Sequence, residues 1–568
     1  MDDLKKSYSM STPLFSFPVL PLLLFLLSIS SCTTSQESGD TPPNIVVILA
    51  DDLGYADLGC YGATHIQTPH LDRMAAEGVR LTQFYNAGRC CPTRASLLTG
   101  LHPSQCGMGD MADNHFDYPG YEGYLTDRCV TIAEVLREAG YATYISGKWH
   151  VGTDTAYWPH RRGFERSFGL VNGASSYFDI RPYRDTSWFT DVTVRMYEDG
   201  RDYFPPREGF YMTDAFTDRA VRYIREHDPE RPFFLYLPYT APHWPLHAPQ
   251  EEIAKYEDAF LDGWEALRRE RFARQQELGV LPGQAGLTPI HENVAPWDSL
   301  DEAQRAEYAR KMAVFAAMID RMDQGIGRVM DQLEASGLID RTVVIFLSDN
   351  GGDRSERVGL TSLRDKSGPV GSPRSFTTYG TGWANASNTP YRWFKSSMYY
   401  GGTASPLIVR WPAELPANSV GHAPAHVTDL MATCLDLAGA AYPDTFRGRP
   451  ILPTAGISLL PLLRGESFPA ARPLFWEHIG SRAMRQGSWK IVAQRNDTTW
   501  AMYNVAEDPV ELHDLAGIYP ERLQSMVADY EAWAQRMGVT DRKTLQAYRN
   551  PKPKLPVEEV LRLYERQE

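Results

Sequence analysis

The sequence predicts an α/β protein: a mostly parallel sheet with helices on both faces, followed by a smaller β-rich unit with one long helix. Three observations lead there. Short apolar runs rich in β-branched residues recur along the chain, and segments of helical periodicity separate them. Four of those runs stop abruptly at polar residues, as expected where a ligand binds beyond the carboxyl ends of parallel strands. Beyond Gly456 the pattern changes to short strand-like runs around turns, closing on an amphipathic stretch.

The first segment reads as an address. Lys5 and Lys6 precede an apolar run, Leu14 to Ile29, that ends in small residues before Cys32. A basic start, an apolar middle and small residues at the cut describe a secretory signal. A Cys directly after them resembles a bacterial lipobox, so residues 1–31 are expected to be removed and the Cys32 thiol acylated. Pro18 and Pro21 interrupt the run, which argues against a spanning helix. Residues 32–43 read as a tether, placing the protein in the bacterial cell envelope, periplasm or outer membrane, held to the membrane by lipid alone.

The four polar-ended runs come next. Asn44–Ala50 stops at Asp51-Asp52, followed by Leu53-Gly54. Tyr141–Ser146 leads into Gly147-Lys148-Trp149-His150. Phe233–Leu237 leads into Pro242-His243-Trp244, and Thr342–Ser348 stops at Asp349-Asn350, followed by Gly351-Gly352. Helical patterns between them cover Leu71–Glu77, Thr131–Ala139, Ala215–Glu226 and Ala306–Ser336. Residues 251–300 form a charged helical insertion expected to rim the cleft. Residues 353–390 are a Gly/Ser/Thr-rich loop expected to wall a substrate pocket, with Trp383, Asn385 and Asn388 as contacts; Trp244 and His247 are further candidates. In the last unit, Ala483–Val492 and Ala501–Val505 read as antiparallel strands, and Pro520–Met537 as the helix that packs on them.

Composition sets limits on function. The chain has 568 residues, 43% apolar and 23% charged, which is globular material with enough length for a large core. A net charge of −14 excludes a general nucleic-acid binder, which needs a basic surface. Thirteen Trp and 30 Tyr suit a protein that handles sugars or aryl groups. Seven irregularly spaced cysteines do not make a disulfide scaffold, although one pair could bridge.

Asp51-Asp52 and Asp349-Asn350 together offer four oxygen-bearing side chains, three of them carboxylates. That suits a hard cation, and Ca²⁺ over Mg²⁺ because Ca²⁺ tolerates irregular all-protein coordination. Neither pair contains His or Cys, which argues against zinc. For adjacent strand residues to meet one ion the backbone must turn, and Gly54 is expected to help. His422 and His426, four apart before a helix over Val427–Leu437, read as structural.

The most specific stretch is Cys90-Cys91-Pro92-Thr93-Arg94-Ala95-Ser96-Leu97-Leu98-Thr99-Gly100. Its Cys-x-Pro-x-Arg followed by Ala-Ser-Leu-Leu-Thr-Gly resembles the signature of type I sulfatases. The resemblance extends through Asp51-Asp52, Thr68-Pro69-His70, Gly147-Lys148-Trp149-His150 and Ser348-Asp349-Asn350-Gly351. It continues through Gly456–Leu463 to Trp489-Lys490, and Tyr256–Leu281 looks most like the bacterial arylsulfatase branch. It implies the alkaline-phosphatase-like sandwich, a large mixed, mostly parallel sheet between helices with a smaller C-terminal domain of antiparallel sheet plus helix, here divided as 44–455 and 456–568. It also implies that a separate maturation enzyme oxidises Cys90 to formylglycine. The hydrated aldehyde has two hydroxyls: one, on the cation, attacks sulfur, and the other lets sulfate leave.

By matching positions, Arg94 steadies the formylglycine oxygens and Lys148 bridges them to sulfate. His150 takes the proton from the second hydroxyl, His243 protonates the leaving oxygen, and Lys395 is the second sulfate-contacting Lys. Cys90 joins Asp51, Asp52, Asp349 and Asn350 at one Ca²⁺. Tyr400 stands where the family often has an acid or amide before the double Gly, so a substrate contact there is expected to differ. The expected substrate is a sulfated carbohydrate, with aryl sulfates as artificial substrates. The rival activities are a phosphomonoester, phosphodiester or phosphonate ester hydrolase of the same superfamily, and an inactive lipid-anchored glycan-binding protein.

Overall fold

The run Asn44–Ala50 forms β1, and every one of its seven residues is buried. It sits at the centre of an eleven-stranded sheet. The other strands are β2 (Val79–Tyr85), β3 (Ala142–Lys148), β4 (Arg166–Leu170), β5 (Met196–Glu198), β6 (Arg201–Tyr203), β7 (Phe233–Pro238), β8 (Thr342–Ser348), β9 (Ala404–Arg410), β10 (Ser419–Gly421) and β11 (Ala425–His426). Their order is β10-β2-β9-β8-β1-β7-β3-β4-β5-β6, with β11 also paired to β2. The centre, β8-β1-β7-β3-β4, is parallel, and the antiparallel β9, β5 and β6 make the sheet mixed.

The computed structural model describes residues 42–180, 194–355 and 368–550. The expected leader, Cys32 and all but the last two residues of the tether lie outside them. The chain from Pro42 onward forms one compact unit. No helix among the described residues is long and apolar enough to cross a membrane.

Alternation along β1 divides the core between the two faces. Val46, Ile48 and Ala50 point into one apolar cluster; Ile45, Val47 and Leu49 point into the other. A strand covered on both faces must be apolar at every position, which is why its sequence reads as an unbroken run. The first cluster takes in the helices α1 (Pro69–Ala76) and α4 (Met212–Arg225) and the 34-residue helix Glu302–Ala335. The second takes in α2 (Cys90–Thr99), α3 (Ile132–Glu138) and the helix Asp429–Ala438.

The charged insertion is a buttress. Helix Gly263–Leu278 buries Trp264, Arg268, Arg271 and Gln275. Arg271 pairs with buried Asp57 at 2.7 Å and donates to the Ala386 carbonyl. The expected loop 353–390 contains a buried helix, Thr381–Ser387; residues 356–367 lie outside the described set. His426 precedes its helix and bonds Thr428 through Nδ1, and His422 bonds Thr82, in keeping with structural roles. The six described cysteines are free thiols.

Four antiparallel strands, Leu474–His478, Ser481–Gln486, Trp489–Ala493 and Ala501–Asn504, make the C-terminal sheet. Helix Pro520–Met537 packs on it through Met526, Tyr530 and Trp533. Lys490 ties this sheet to the larger one. Fully buried, its ammonium pairs with Glu511 at 2.6 Å, donates to the Met398 carbonyl and lies 3.6 Å from the Tyr400 ring centre. The other Glu511 oxygen accepts the Tyr400 N–H at 2.7 Å. Burial lowers the Lys490 pKa to about 8 against the pull of Glu511, so the ammonium depends on its partner.

Removing one partner of such a pair leaves an uncompensated buried charge. Glu511→Ala is expected to cost about 3–5 kcal/mol, and Glu511→Ala combined with Lys490→Met to regain most of it. Urea denaturation followed by fluorescence measures both; a loss under 1 kcal/mol for the single variant contradicts this account of the junction.

Candidate active site

Strand register sets the site. β1 and β8 pair from Asn44↔Thr342 to Ala50↔Ser348, so Asp51-Asp52 and Asp349-Asn350 leave the sheet side by side. Asp52 itself supplies the turn after β1, with φ +65°. Gly54, expected to help it, has another role. A Cβ there would lie 2.4 Å from the Ser387 carbonyl oxygen, so this glycine permits a close backbone approach. The Asp52 N–H donates to Asp349 Oδ1 at 3.2 Å, and Asn350 Nδ2 donates to Asp52 Oδ1 at 2.7 Å.

Helix α2 closes a second side. Cys90 is its first residue, and Arg94 stands one turn later on the same face. The fully buried Arg94 guanidinium donates twice to Asp349 Oδ2, at 2.9 and 3.2 Å, and once to the Lys148 carbonyl at 3.1 Å. It also lies 3.6 Å from Asp51. These contacts hold the carboxylates in place. Lys148, at the end of β3, donates to Asp51 Oδ2 at 2.5 Å, and Lys395 donates to Asp52 Oδ1 at 2.5 Å.

His243 follows β7. Its Nδ1 donates to the Trp244 carbonyl at 2.6 Å, leaving Nε2 3.5 Å from Asp52 Oδ2. The Tyr177 hydroxyl donates to the Thr240 and His243 carbonyls and fixes that turn. Donor atoms of Asp51, Asp52, Cys90 and His243 all lie within 4.8 Å of one another. His150, at φ +56°, is buried with both ring nitrogens unpartnered among the described residues.

The electrostatics follow from burial. Burial raises the Cys90 thiol to about 11, with Lys395 and Lys148 acting against it, so an unmodified thiol is protonated at neutral pH. Burial and the neighbouring Asp51 carry Asp349 up to about 7 despite Arg94. Asp52 goes the other way: the burial penalty is outweighed by Lys395 and His243, which hold it well below the usual carboxylate range. Burial takes His243 down to about 3, opposed by Asp52, and pushes His150 well below the ordinary imidazole range, so His150 is a neutral base.

The donor set fits a hard divalent cation. Asp51 Oδ1, Asp52 Oδ2 and Asn350 Oδ1 are buried oxygens with no hydrogen-bond partner among the described residues. Unpartnered buried carboxylate oxygens are costly unless a cation meets them. Cys90 and His243 also border the cluster, a feature that the two acidic pairs alone did not reveal.

Not every expected contact reaches this cluster. His247 is corrected: its Nε2 donates to the Ser375 carbonyl at 2.6 Å and its Nδ1 accepts the Tyr177 N–H, so its ring joins two loops. Trp383 is corrected: it is fully buried among Phe260, Trp264 and Trp297 and donates to the Tyr308 carbonyl. Tyr400 is corrected: its ring stacks on Tyr85 at 4.9 Å and its hydroxyl accepts from Arg485. Asn385 is buried, and no described hydrogen bond or ion pair joins it to the cluster. Asn388 is a brace, accepting the Gly352 N–H and donating to the Trp393 carbonyl.

Trp244 does stand at the site. Its ring lies 4.7 Å from His243, and its indole N–H donates to Asp353 Oδ2 at 3.0 Å. Asp353 was missed in the sequence, where it follows the two glycines after Asn350. Beside Lys395 and Arg89, it stays ionised below its ordinary range although burial alone would raise it.

Comparison with known proteins gives a family. The sequence model of the sulfatase family matches residues 43–440, and that of the N-sulphoglucosamine sulphohydrolase C-terminal region matches residues 390–530. An uncharacterized sulfatase of Schizosaccharomyces pombe is 34% identical over 536 residues, covering 89% of this chain and 96% of its own. An arylsulfatase of Klebsiella aerogenes is 34% identical over 428 residues, covering 73% of this chain and 91% of its own. The crystal structure of Ps i-CgsB in complex with k-i-k-neocarrahexaose superposes with a TM-score of 0.62 at 25% identity, covering 87% of this chain and 93% of that one.

Chelation tests the cation site. Free Ca²⁺ at a hundred times its Kd adds about 2.7 kcal/mol to the folded state. Stripped protein is therefore expected to melt at a lower temperature and to recover with Ca²⁺, and Asp52→Asn to abolish the recovery. Stabilisation by Zn²⁺ and not by Ca²⁺ would point instead to Cys90 and His243 as the dominant ligands.

Proposed function

The chain belongs to the sulfatase family and is a sulfuric ester hydrolase; from that premise we propose that it cleaves sulfated glycans, with formylglycine at position 90 and Ca²⁺ held by Asp51, Asp52, Asp349 and Asn350. One observation carries this reading. Four strand ends and the first turn of α2 converge on a single buried cluster that contains oxygens unpartnered among the described residues and Cys90, the first residue of the Cys-x-Pro-x-Arg motif.

The cation would stabilise negative charge on the sulfate oxygens, and a hydrated aldehyde at position 90 would supply an oxygen nucleophile that the protonated thiol cannot. The rest is done by the chain. Lys148 and Lys395 present ammonium groups to the sulfate from two sides of the cluster. Arg94 keeps Asp349 and Asp51 aligned. His243 has its Nδ1 proton committed to Trp244, so Nε2 faces the reacting ester. An anionic sulfate beside Nε2 acts like Asp52 and favours the protonated ring, which then gives its proton to the leaving oxygen as the S–O bond breaks. His150 is neutral and has no hydrogen-bond partner among the described residues, so it is placed to accept the proton that a second hydroxyl at position 90 would give up as sulfate departs. Water restores the site, and the products are alcohol and sulfate.

The glycan substrate is supported by the abundance of aromatic side chains and by the exported character of the leader. The same reading assigns residues 1–31 as a lipoprotein signal, Cys32 as the anchor in the cell envelope and a separate maturation enzyme acting on Cys90. It keeps 44–455 as the catalytic unit and 456–568 as the C-terminal one; every strand of the antiparallel sheet lies within the latter.

Steady-state kinetics test the reading. Cys90→Ala is expected to lose at least about 10³-fold in kcat on 4-nitrophenyl sulfate. His243→Ala is expected to lose about 10²–10⁴-fold on an alkyl or sugar sulfate, and much less on 4-nitrophenyl sulfate, whose leaving group needs little protonation. Full activity in Cys90→Ala, or turnover of 4-nitrophenyl phosphate far above the sulfate, contradicts the mechanism.

A further inference from the structure

A cleft of about 600 Å³ begins beside the catalytic cluster, at Lys395 and Arg89, and runs to the C-terminal sheet. A second cavity of about 660 Å³ shares Asp110, Arg495 and Arg542 with it and carries the groove onward. Together the two are lined by eight Lys or Arg side chains and three Asp. That surplus stands out in a chain whose net charge is −14.

The three carboxylates do not neutralise it. Asp110 accepts the Met111 N–H and the Asn114 amide. Asp497 accepts the Gln494 N–H, and Asp541 accepts the N–H and hydroxyl of Thr544. Among the described residues, neither Arg354, Arg495 nor Arg542 has a carboxylate within 4.0 Å, and the last two are exposed. Trp393 lines the same cleft. Its half-buried ring stacks on Tyr399 at 5.7 Å, and the Arg354 guanidinium lies 5.9 Å from its ring centre. An aromatic ring next to arginines that have no carboxylate partner among the described residues suits a charged sugar chain, which takes a ring edge or face to pack on and donors for its anions.

We propose that this groove binds further anionic groups of the substrate, so that the enzyme acts on a polyanionic oligosaccharide bearing sulfates or carboxylates beyond the ester it cleaves. The proposal rests on the sulfatase reading for the position of that ester and deepens it. Arg495 and Arg542 belong to the C-terminal unit, which therefore selects the substrate although it holds none of the reacting groups.

Calorimetric binding to full-length Cys90→Ala tests this without turnover. A carrageenan hexasaccharide carries sulfates alone, and a hyaluronan hexasaccharide carries carboxylates alone. At least one is expected to bind, and which one identifies the anion. Adding Arg495→Ala and Arg542→Ala is expected to raise its Kd tenfold or more, whereas Arg495→Lys with Arg542→Lys keeps most of the affinity. Arg225→Ala with Arg269→Ala, exposed arginines elsewhere, should change Kd less than twofold. No binding of either sugar, an unchanged Kd in the cleft variant, or an equal loss in the distant one overturns the proposal. Wild-type turnover of 4-nitrophenyl sulfate reports separately on the sulfatase reading.

Discussion

Three carboxylates buried side by side are the constraint on which the site depends. Asp51, Asp52 and Asp349 are almost wholly removed from water, and each would be expensive to ionise there alone. Arg94, Lys148 and Lys395 balance them, three positive charges against three negative. The balance leaves no surplus for an incoming anion. A divalent cation would supply it, more than offsetting the single negative charge of a sulfate monoester, and would meet the oxygens that have no partner among the described residues. The rise of the Asp349 pKa to about 7, driven by burial and by Asp51, expresses the same shortage of positive charge. Pairing alone makes such a cluster possible but not especially stable. Its arrangement makes sense as a binding device.

The sheet makes the arrangement possible. Parallel strands in register finish level, so residues some 300 positions apart in sequence become neighbours without any long loop reaching across. β1 and β8 bring the two acidic pairs, β3 brings Lys148, and the turn after β7 brings His243. The apolar clusters on both faces hold that edge rigid. Two of the nine described non-glycine residues with positive φ, Asp52 and His150, fall at the site, where a well-supported fold can hold such strain. The smaller sheet contributes differently. Through Lys490 and Glu511 it fixes the segment that carries Tyr400, and the turn at Ile479 with the loop Gln494–Asp497 supplies one wall of the basic groove.

Much of this was legible in the sequence. Runs covered on both faces announce themselves by unbroken apolarity, and β1 and β8 begin and end where their composition changes. Lys148, His243 and the two acidic pairs were visible because each follows such a run. Side chains in the irregular segments were harder to read. Trp383, His247 and Tyr400 are polar or aromatic residues near catalytic ones in sequence, and nothing local distinguishes a ring that faces substrate from one that packs against another ring. Asp353 was overlooked for the converse reason: its partner, Trp244, is 109 residues away. The turn at Asp52 was assigned to a nearby glycine because glycine adopts positive φ freely, whereas an aspartate there is only an enriched exception.

The central claim is that the nucleophile at position 90 is an oxygen made from a buried sulfur. The most direct measurement is the mass of the peptide spanning residue 90, taken from protein produced with a formylglycine-generating enzyme and matched to its specific activity. The account predicts that activity rises in proportion to the fraction of peptide carrying an aldehyde in place of the Cys90 thiol. Fully active protein in which residue 90 is still an unmodified cysteine would contradict it.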